Sequence, residues 1–104
     1  MTLKQAVKEV IEQNKTVRGY RPAIFIRMTK NGEAKNLEKV ISRLVSGPPK
    51  INKIITNLEK HKWKPILIEE FIAMYGFGLD NEVIREARLR TETIQKLRWS
   101  LRQN

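Results

Sequence analysis

The sequence predicts an all-α protein: a compact single domain over residues 1–104, with five or six helices and a long C-terminal helix. Three observations predict it. Apolar residues recur at spacings of three and four along almost the whole chain, which is the period of an amphipathic helix. Clusters of glycine and proline separate these segments, and most of the segments have the length of a short helix. The one stretch with strand-like alternation is followed by no second strand with which it could pair.

The first helix has a clear start. Thr2, followed three residues later by Gln5, fits a capping box, in which each side chain satisfies a backbone amide that the helix leaves unpaired. The apolar residues that follow fall on one stripe: Leu3, Ala6, Val7, Val10, Ile11 and Val17. Arg18-Gly19-Tyr20-Arg21 interrupts the helix, and Pro22 suits the first position of the next one.

Residues 23–29 are open to two interpretations. Ile24, Ile26 and Met28 alternate before Asn31-Gly32, as in a strand that ends in a hairpin turn. The stretch after the turn has helical spacing, so the alternation has no partner strand. We therefore expect a short helix here, with Gly32 as its left-handed cap.

The remaining chain predicts three or four helices. A helix on residues 34–45 stops at Ser46-Gly47-Pro48-Pro49, and a short one follows on residues 51–58. The next helix carries Ile68, Phe71, Ile72 and Tyr75, and Gly76 closes it. After a turn, Asp80 is expected to cap the long final helix, where an acid also suits the helix dipole.

The charge is lopsided along the chain. Residues 1–64 carry 15 Lys/Arg against 5 Asp/Glu, residues 65–80 carry three acids and no base, and residues 81–104 carry six bases against three acids. A net charge of +10 makes a small domain repel itself, which indicates that the excess serves a partner. The candidates are a nucleic acid, an anionic membrane surface or an acidic protein. With 40% hydrophobic residues, the chain is too apolar for a disordered polycation.

The sequence gives little support for catalysis or for metal binding. The chain has no cysteine, so thiolate metal sites, disulfides and thiol nucleophiles are excluded, and a reducing cytoplasm fits. The single histidine, His61, lies in a basic connector. Glu69 and Glu70 are adjacent on a helix and diverge by about 100°, so they cannot act as an acid–base pair on one face. We expect no enzyme, no cofactor and no small-molecule substrate. No apolar run reaches the ~18 residues of a membrane span. Of the candidate partners, we expect a nucleic acid first and no membrane.

The final helix offers a nucleic-acid-binding face. At 100° per residue, one sector is apolar and contains Val83, Ala87, Ile94, Leu97 and Leu101. The opposite side is basic, with Trp99 among its members, and carries Arg85, Arg88, Lys96 and Arg102. A tryptophan in a basic stripe can stack on a base while its neighbours bind phosphates. The alternative is that Trp99 packs against another helix or a dimer partner.

Two further basic features are weaker signals. The segment from Ile66 to Tyr75, the turn at Gly76–Asp80 and the basic helix resemble a helix-turn-helix in outline, with Asn81, Arg85 and Arg88 placed to reach base edges. Lys60, Lys62 and Lys64 surround Trp63 in the connector and predict a loop that contacts phosphates. For both features the ordinary interpretation is favoured: a corner between two packed helices in the first case, and a solvated connector with Trp63 folded over the core in the second.

Residues 19–88 resemble a small helical module of uncharacterised prokaryotic proteins. The resemblance covers about two thirds of the chain. In chain order, the matching features are Gly19-Tyr20-Arg21-Pro22, Phe25, Met28, Asn31-Gly32, Leu37-Glu38-Lys39-Val40-Ile41, Trp63, Ile68-Glu69-Glu70-Phe71-Ile72 and Glu86-Ala87-Arg88. The resemblance implies a fold, and it carries no functional residues. The chain departs from the module at Gly32-Glu33, where a Gly-Gly pair is usual.

These observations favour a cytoplasmic, non-catalytic nucleic-acid-binding protein, with DNA favoured over RNA, in an accessory or regulatory role and of prokaryotic or phage origin. The alternative is a protein–protein adaptor, or a homo-oligomer, whose final helix packs on an acidic partner or on its own copy. In that case Ile94, Leu97 and Leu101 would form the seam.

Overall fold

Six α-helices and one turn of 3-10 helix form the described part of the chain, in a computed structural model that describes residues 1–46 and 51–103. The side chains of residues 101–103 fall outside that description. The helices are α1 (Leu3–Asn14), α2 (Ala23–Thr29), the 3-10 turn (Lys30–Gly32), α3 (Leu37–Ser46), α4 (Ile51–Lys60), α5 (Ile68–Tyr75) and α6 (Asn81–Gln103). The structure is 73% helical, with no strand in the described residues. The predicted all-α class and the long C-terminal helix are confirmed. The predicted stop began at Ser46, which is the last residue of α3, and its residues 47–49 lie outside the described residues.

The first helix begins as its sequence predicts. The Gln5 amide donates to Thr2 Oγ1 at 3.2 Å, and the Thr2 amide donates to Gln5 Oε1 at 2.8 Å, which completes the capping box. Its apolar stripe is buried, with Ala6 and Val7 fully covered. Asn14 is also buried, and its amide group bonds both the carbonyl oxygen and the N–H of Ile66, at 2.9 and 2.8 Å. That pair satisfies the backbone of the extended segment before α5.

The ambiguous segment is a helix, but its predicted cap is wrong. Helix α2 ends at Thr29, and Lys30 (φ 49°) and Asn31 (φ 57°) take the left-handed conformation before Gly32 is reached. Gly32 has φ +91° and lies against α1, where a Cβ would come within 3.3 Å of the Lys4 carbonyl oxygen. The glycine is therefore required by a close approach between backbones as well as by its conformation.

Replacing Gly32 with alanine should destabilise the fold by about 2 kcal/mol, because a Cβ at this φ is strained and also crowds a backbone oxygen. Gly78→Ala is the matched control. Gly78 has φ +70° with nothing within 4 Å of its Cβ position, so only the conformational cost of about 1 kcal/mol applies. Urea unfolding measures both free energies. Equal losses would show that the contact with α1 carries no energetic weight.

The core lies where α1, α3, α5 and α6 meet. Its fully covered members include Ile41, Ile72 and Ala87, and Phe25 and Phe71 pack against it. Helix α5 packs against α6 and positions that helix on the core. The Cα radius of gyration of 13.2 Å is close to the ~13 Å expected for a compact chain of this length.

Candidate nucleic-acid interface

The basic side chains fall into two groups: those that form ion pairs with acids and those that do not. Lys4 and Lys8 bind Glu33 at 3.0 and 2.9 Å, and Lys15 binds Glu12 at 3.3 Å; Arg90 and Arg98 pair with acids at the core. The two lysines hold the pKa of Glu33 below its ordinary value, chiefly through the hydrogen bond from Lys8. Within residues 1–46 and 51–100, every other lysine and arginine lies beyond ion-pairing distance of an acid.

Helix α6 divides its charges between two faces. Arg85, Arg88 and Lys96 are exposed on the outer face, as the helical spacing predicts. Val83, Ala87 and Ile94 are buried on the inner one. The side chain of Arg102, the remaining predicted contact on this helix, lies outside the described residues.

Arg90 is buried on the inner face, and sequence reasoning missed it. Its guanidinium lies 3.5 Å from the buried Glu69 carboxylate and donates to Glu86 at 3.0 Å. Burial raises the pKa of Glu69, and the nearby Arg90 charge opposes that rise. A signal for this position was available, because at 100° per residue Arg90 falls in the same sector as Val83 and Ile94.

Arg98 forms the second inward contact of α6. Its Nη1 donates to Glu70 Oε1 at 2.8 Å, and its Nη2 donates to the Pro65 carbonyl oxygen at 2.9 Å. The other oxygen of Glu70 accepts from the Leu67 amide at 2.8 Å. Glu69 and Glu70 therefore bind different arginines, which agrees with their predicted divergence. Two of the six bases in residues 81–104 are structural, and the sequence alone did not separate them from the others.

Trp99 is on the surface. Its side chain is 63% exposed, so it does not belong to the core of this chain. Leu89, on the same outer face, is 53% exposed. The seam expected from Ile94, Leu97 and Leu101 is corrected in part, because Ile94 is fully covered within its own fold and offers nothing to a partner. Leu97 is half-buried, and the side chain of Leu101 lies outside the described residues.

The connector after α4 presents its lysines to solvent. Lys60, Lys62 and Lys64 are exposed, while Trp63 is half-buried between them. Lys62 and Trp63 are both left-handed, with φ of 58° and 60°. The Trp63 amide donates to the Leu58 carbonyl oxygen at 2.7 Å, which closes the end of the helix.

The outline of a helix-turn-helix is present in α5, the turn at residues 76–80 and α6. Asn81, Arg85 and Arg88 are all exposed near the start of α6. The five-residue turn is longer than the three to four residues usual in DNA-binding examples, and Gly76 (φ 72°) and Phe77 (φ 54°) shape it. Exposure fits a recognition helix, and the longer turn departs from the motif.

The bond from Arg98 to Pro65 brings two predicted sites together. It joins the end of the lysine connector to the C-terminal half of α6, next to Trp99. Arg85 and Arg88 lie nearer the N-terminus of the same helix, about 15–20 Å from Trp99 at 1.5 Å per residue. The Arg98–Pro65 bond therefore holds the connector against the C-terminal half of α6, whereas Arg85 and Arg88 form a separate basic group near the start of that helix.

The described residues contain no group of three or more His, Asp or Glu placed to hold a metal ion. Among those same residues, none of the helices is both long and apolar enough to cross a bilayer. No family model, curated protein or solved structure matches the chain. The resemblance of residues 19–88 to a prokaryotic helical module stays a prediction.

Proposed function

We propose that this protein is a small, non-catalytic nucleic-acid-binding protein that uses the outer face of α6, with DNA favoured over RNA. The observation that carries the proposal is Trp99, an exposed tryptophan one turn from the exposed Lys96, on the helix face that also carries Arg85 and Arg88. An aromatic ring offers a stacking surface to any base, and the arginines and lysine offer contacts to phosphates. An accessory or regulatory role in a prokaryote or phage, and a cytoplasmic location, belong to the same proposal.

The distribution of charge supports this function. Acids neutralise the bases near the core, while Arg85, Arg88 and Lys96 stay exposed and pair with no acid in the described part of the chain. Arg85 and Arg88 lie one helical turn apart and repel each other, and a polyanion relieves that repulsion when it binds. Glu92 is the one exposed acid between Arg88 and Lys96 in the chain.

The second candidate function is an adaptor or a homo-oligomer, and one observation favours it. Leu89 and Trp99 are large, apolar and exposed on one face of α6, which also suits a protein interface. Both functions use the same face, so the experiment must separate stacking on a base from packing on a protein.

Trp99→Ala should leave thermal stability nearly unchanged, because the side chain is mostly exposed. It should weaken nucleic-acid binding by about 1–3 kcal/mol, the usual worth of a base–aromatic stack. Leu89→Ala is the matched control, since a leucine on the same face cannot stack and its loss should leave that affinity unchanged. Fluorescence anisotropy with labelled duplex and single-stranded DNA measures the affinities.

The adaptor predicts the opposite pattern. Both substitutions would then shift the oligomeric state in analytical ultracentrifugation, and neither would alter binding to DNA. An equal loss of DNA affinity in the two variants would show that apolar packing, and not stacking, accounts for the contact.

A further inference from the structure

The single histidine joins two loops that are far apart in the chain. His61 Nδ1 lies 2.9 Å from the Asn57 carbonyl oxygen, and Nε2 lies 3.3 Å from the Gly19 carbonyl oxygen. The Tyr20 ring packs edge-on against the imidazole, with the ring centroids 5.0 Å apart. The loop after α1 and the connector after α4 therefore meet at this residue.

Four cationic residues lie next to this contact in the chain. Arg18 and Arg21 flank Gly19-Tyr20, and Lys60 and Lys62 flank His61, with neighbouring Cα atoms about 3.8 Å apart. All four side chains are exposed, and none pairs with an acid in the described part of the chain. We name these four residues the junction patch. Glu59, also exposed, is the acid of the adjoining α4 turn.

The connector that carries Lys60 and Lys62 is held in place by its own backbone. The amides of His61, Lys62 and Lys64 donate to the carbonyl oxygens of Leu58, Glu59 and His61, at 3.1 to 3.2 Å. Lys62 adopts the left-handed region that non-glycine residues rarely occupy. Because these amides are satisfied, the lysines are presented from an ordered loop, and less entropy is lost when they bind a ligand.

The surroundings identify the chemistry of the partner. None of the large exposed apolar side chains of the described residues lies in residues 16–21 or 57–64. A protein interface would need an apolar centre, and a membrane surface would favour inserted apolar groups. The four cations of the junction patch outnumber the one exposed acid beside them, Glu59, and such a surface suits the sugar–phosphate backbone, which proteins contact to fix their position on the duplex.

We infer that the junction patch binds phosphates of the nucleic-acid backbone, as a second contact surface beside α6. The inference rests on the proposed function, and it adds Arg18 and Arg21 to the binding residues. The Arg98–Pro65 bond links the connector that carries Lys60 and Lys62 to the C-terminal half of α6.

Three variants of equal charge test this. The junction triple is Arg18→Ala, Arg21→Ala and Lys62→Asn, where asparagine tolerates the left-handed backbone of Lys62. The α6 triple is Arg85→Ala, Arg88→Ala and Lys96→Ala. The dispersed triple removes exposed cations from three other helices: Arg27→Ala, Arg43→Ala and Lys53→Ala. Circular dichroism and thermal unfolding confirm that each variant folds, and anisotropy with labelled duplex DNA gives affinity against salt.

The junction triple should weaken binding about 10²-fold at ~100 mM salt and reduce the salt slope by about 2–3, since each lost phosphate contact removes about 0.9. The dispersed triple should change the affinity far less. Equal losses in the junction and dispersed triples would show that net charge alone acts, and would overturn the inference while the proposed function stands.

Two other results bear on the patch. An unchanged junction triple beside a weakened α6 triple would also overturn the inference and leave the proposed function intact. Displacement of the duplex by poly-glutamate as readily as by unlabelled DNA would assign the patch to an acidic protein. If the parent binds no nucleic acid even at ~50 mM salt, where phosphate contacts are strong, the proposed function and the inference both fail.

Discussion

Arg90→Met should cost about 3–5 kcal/mol of unfolding free energy, because it leaves the buried Glu69 carboxylate without its cation. Both side chains are less than a tenth exposed, so water cannot replace the lost partner. Glu86, the other partner of Arg90, is about a third exposed and can be solvated when the arginine is removed. Urea unfolding of the parent and the variant measures the difference.

The double variant Glu69→Leu/Arg90→Met is the control for this prediction. Replacing a buried ion pair by apolar residues of similar volume is often neutral or stabilising. It would also remove Arg90 Nη2, a buried nitrogen with no hydrogen-bond partner in the described part of the chain. We expect the double variant to unfold near the parent. A double variant as unstable as Arg90→Met alone would mean that lost packing, and not the unpaired carboxylate, causes the damage.

The pH dependence gives a second check on the same pair. Burial already raises the pKa of Glu69, and removing Arg90 removes the charge that opposes this rise. A raised pKa means that the folded state favours the protonated carboxyl of Glu69. The stability contributed by this protonation is fully present below the pKa of the unfolded state, and it is lost as pH rises through the pKa of the folded state. The deficit of Arg90→Met should therefore be smaller near pH 4 than at pH 7.

Nucleic-acid affinity should fall by about 10³-fold or more between ~50 and ~200 mM salt, if the protein makes six or so phosphate contacts. Each contact releases condensed counterions, and added salt opposes that release. The junction patch and the α6 face together offer seven exposed cations that are free of ion pairs in the described residues. Anisotropy titrations at a series of salt concentrations give the slope directly.

The control for the salt prediction is the Trp99→Ala variant. Stacking releases no counterions, so this variant should bind more weakly with the same slope. A flat salt dependence in the parent would contradict phosphate binding. It would favour the apolar interface at Leu89 and Trp99 instead.

The amino-acid sequence by itself determined the helices and their buried faces. Thr2 and Gln5 cap α1 as their spacing predicts, and Val83, Ala87 and Ile94 face inward on α6. These features depend on residues within one or two turns of each other, and the helical period relates such residues directly. The helix on residues 23–29 was also predicted, by the lack of any strand with which that segment could pair.

Only the tertiary structure decided which charges serve the fold. Glu69–Arg90, Glu70–Arg98, Asn14–Ile66 and His61–Gly19 join residues that are 21 to 52 positions apart, and no helical period relates them. The surface position of Trp99 and the grouping of Arg18 and Arg21 with Lys60 and Lys62 depend on the same packing. A charge stays available to a partner only when the fold brings no opposite charge to it, and packing between distant segments decides that.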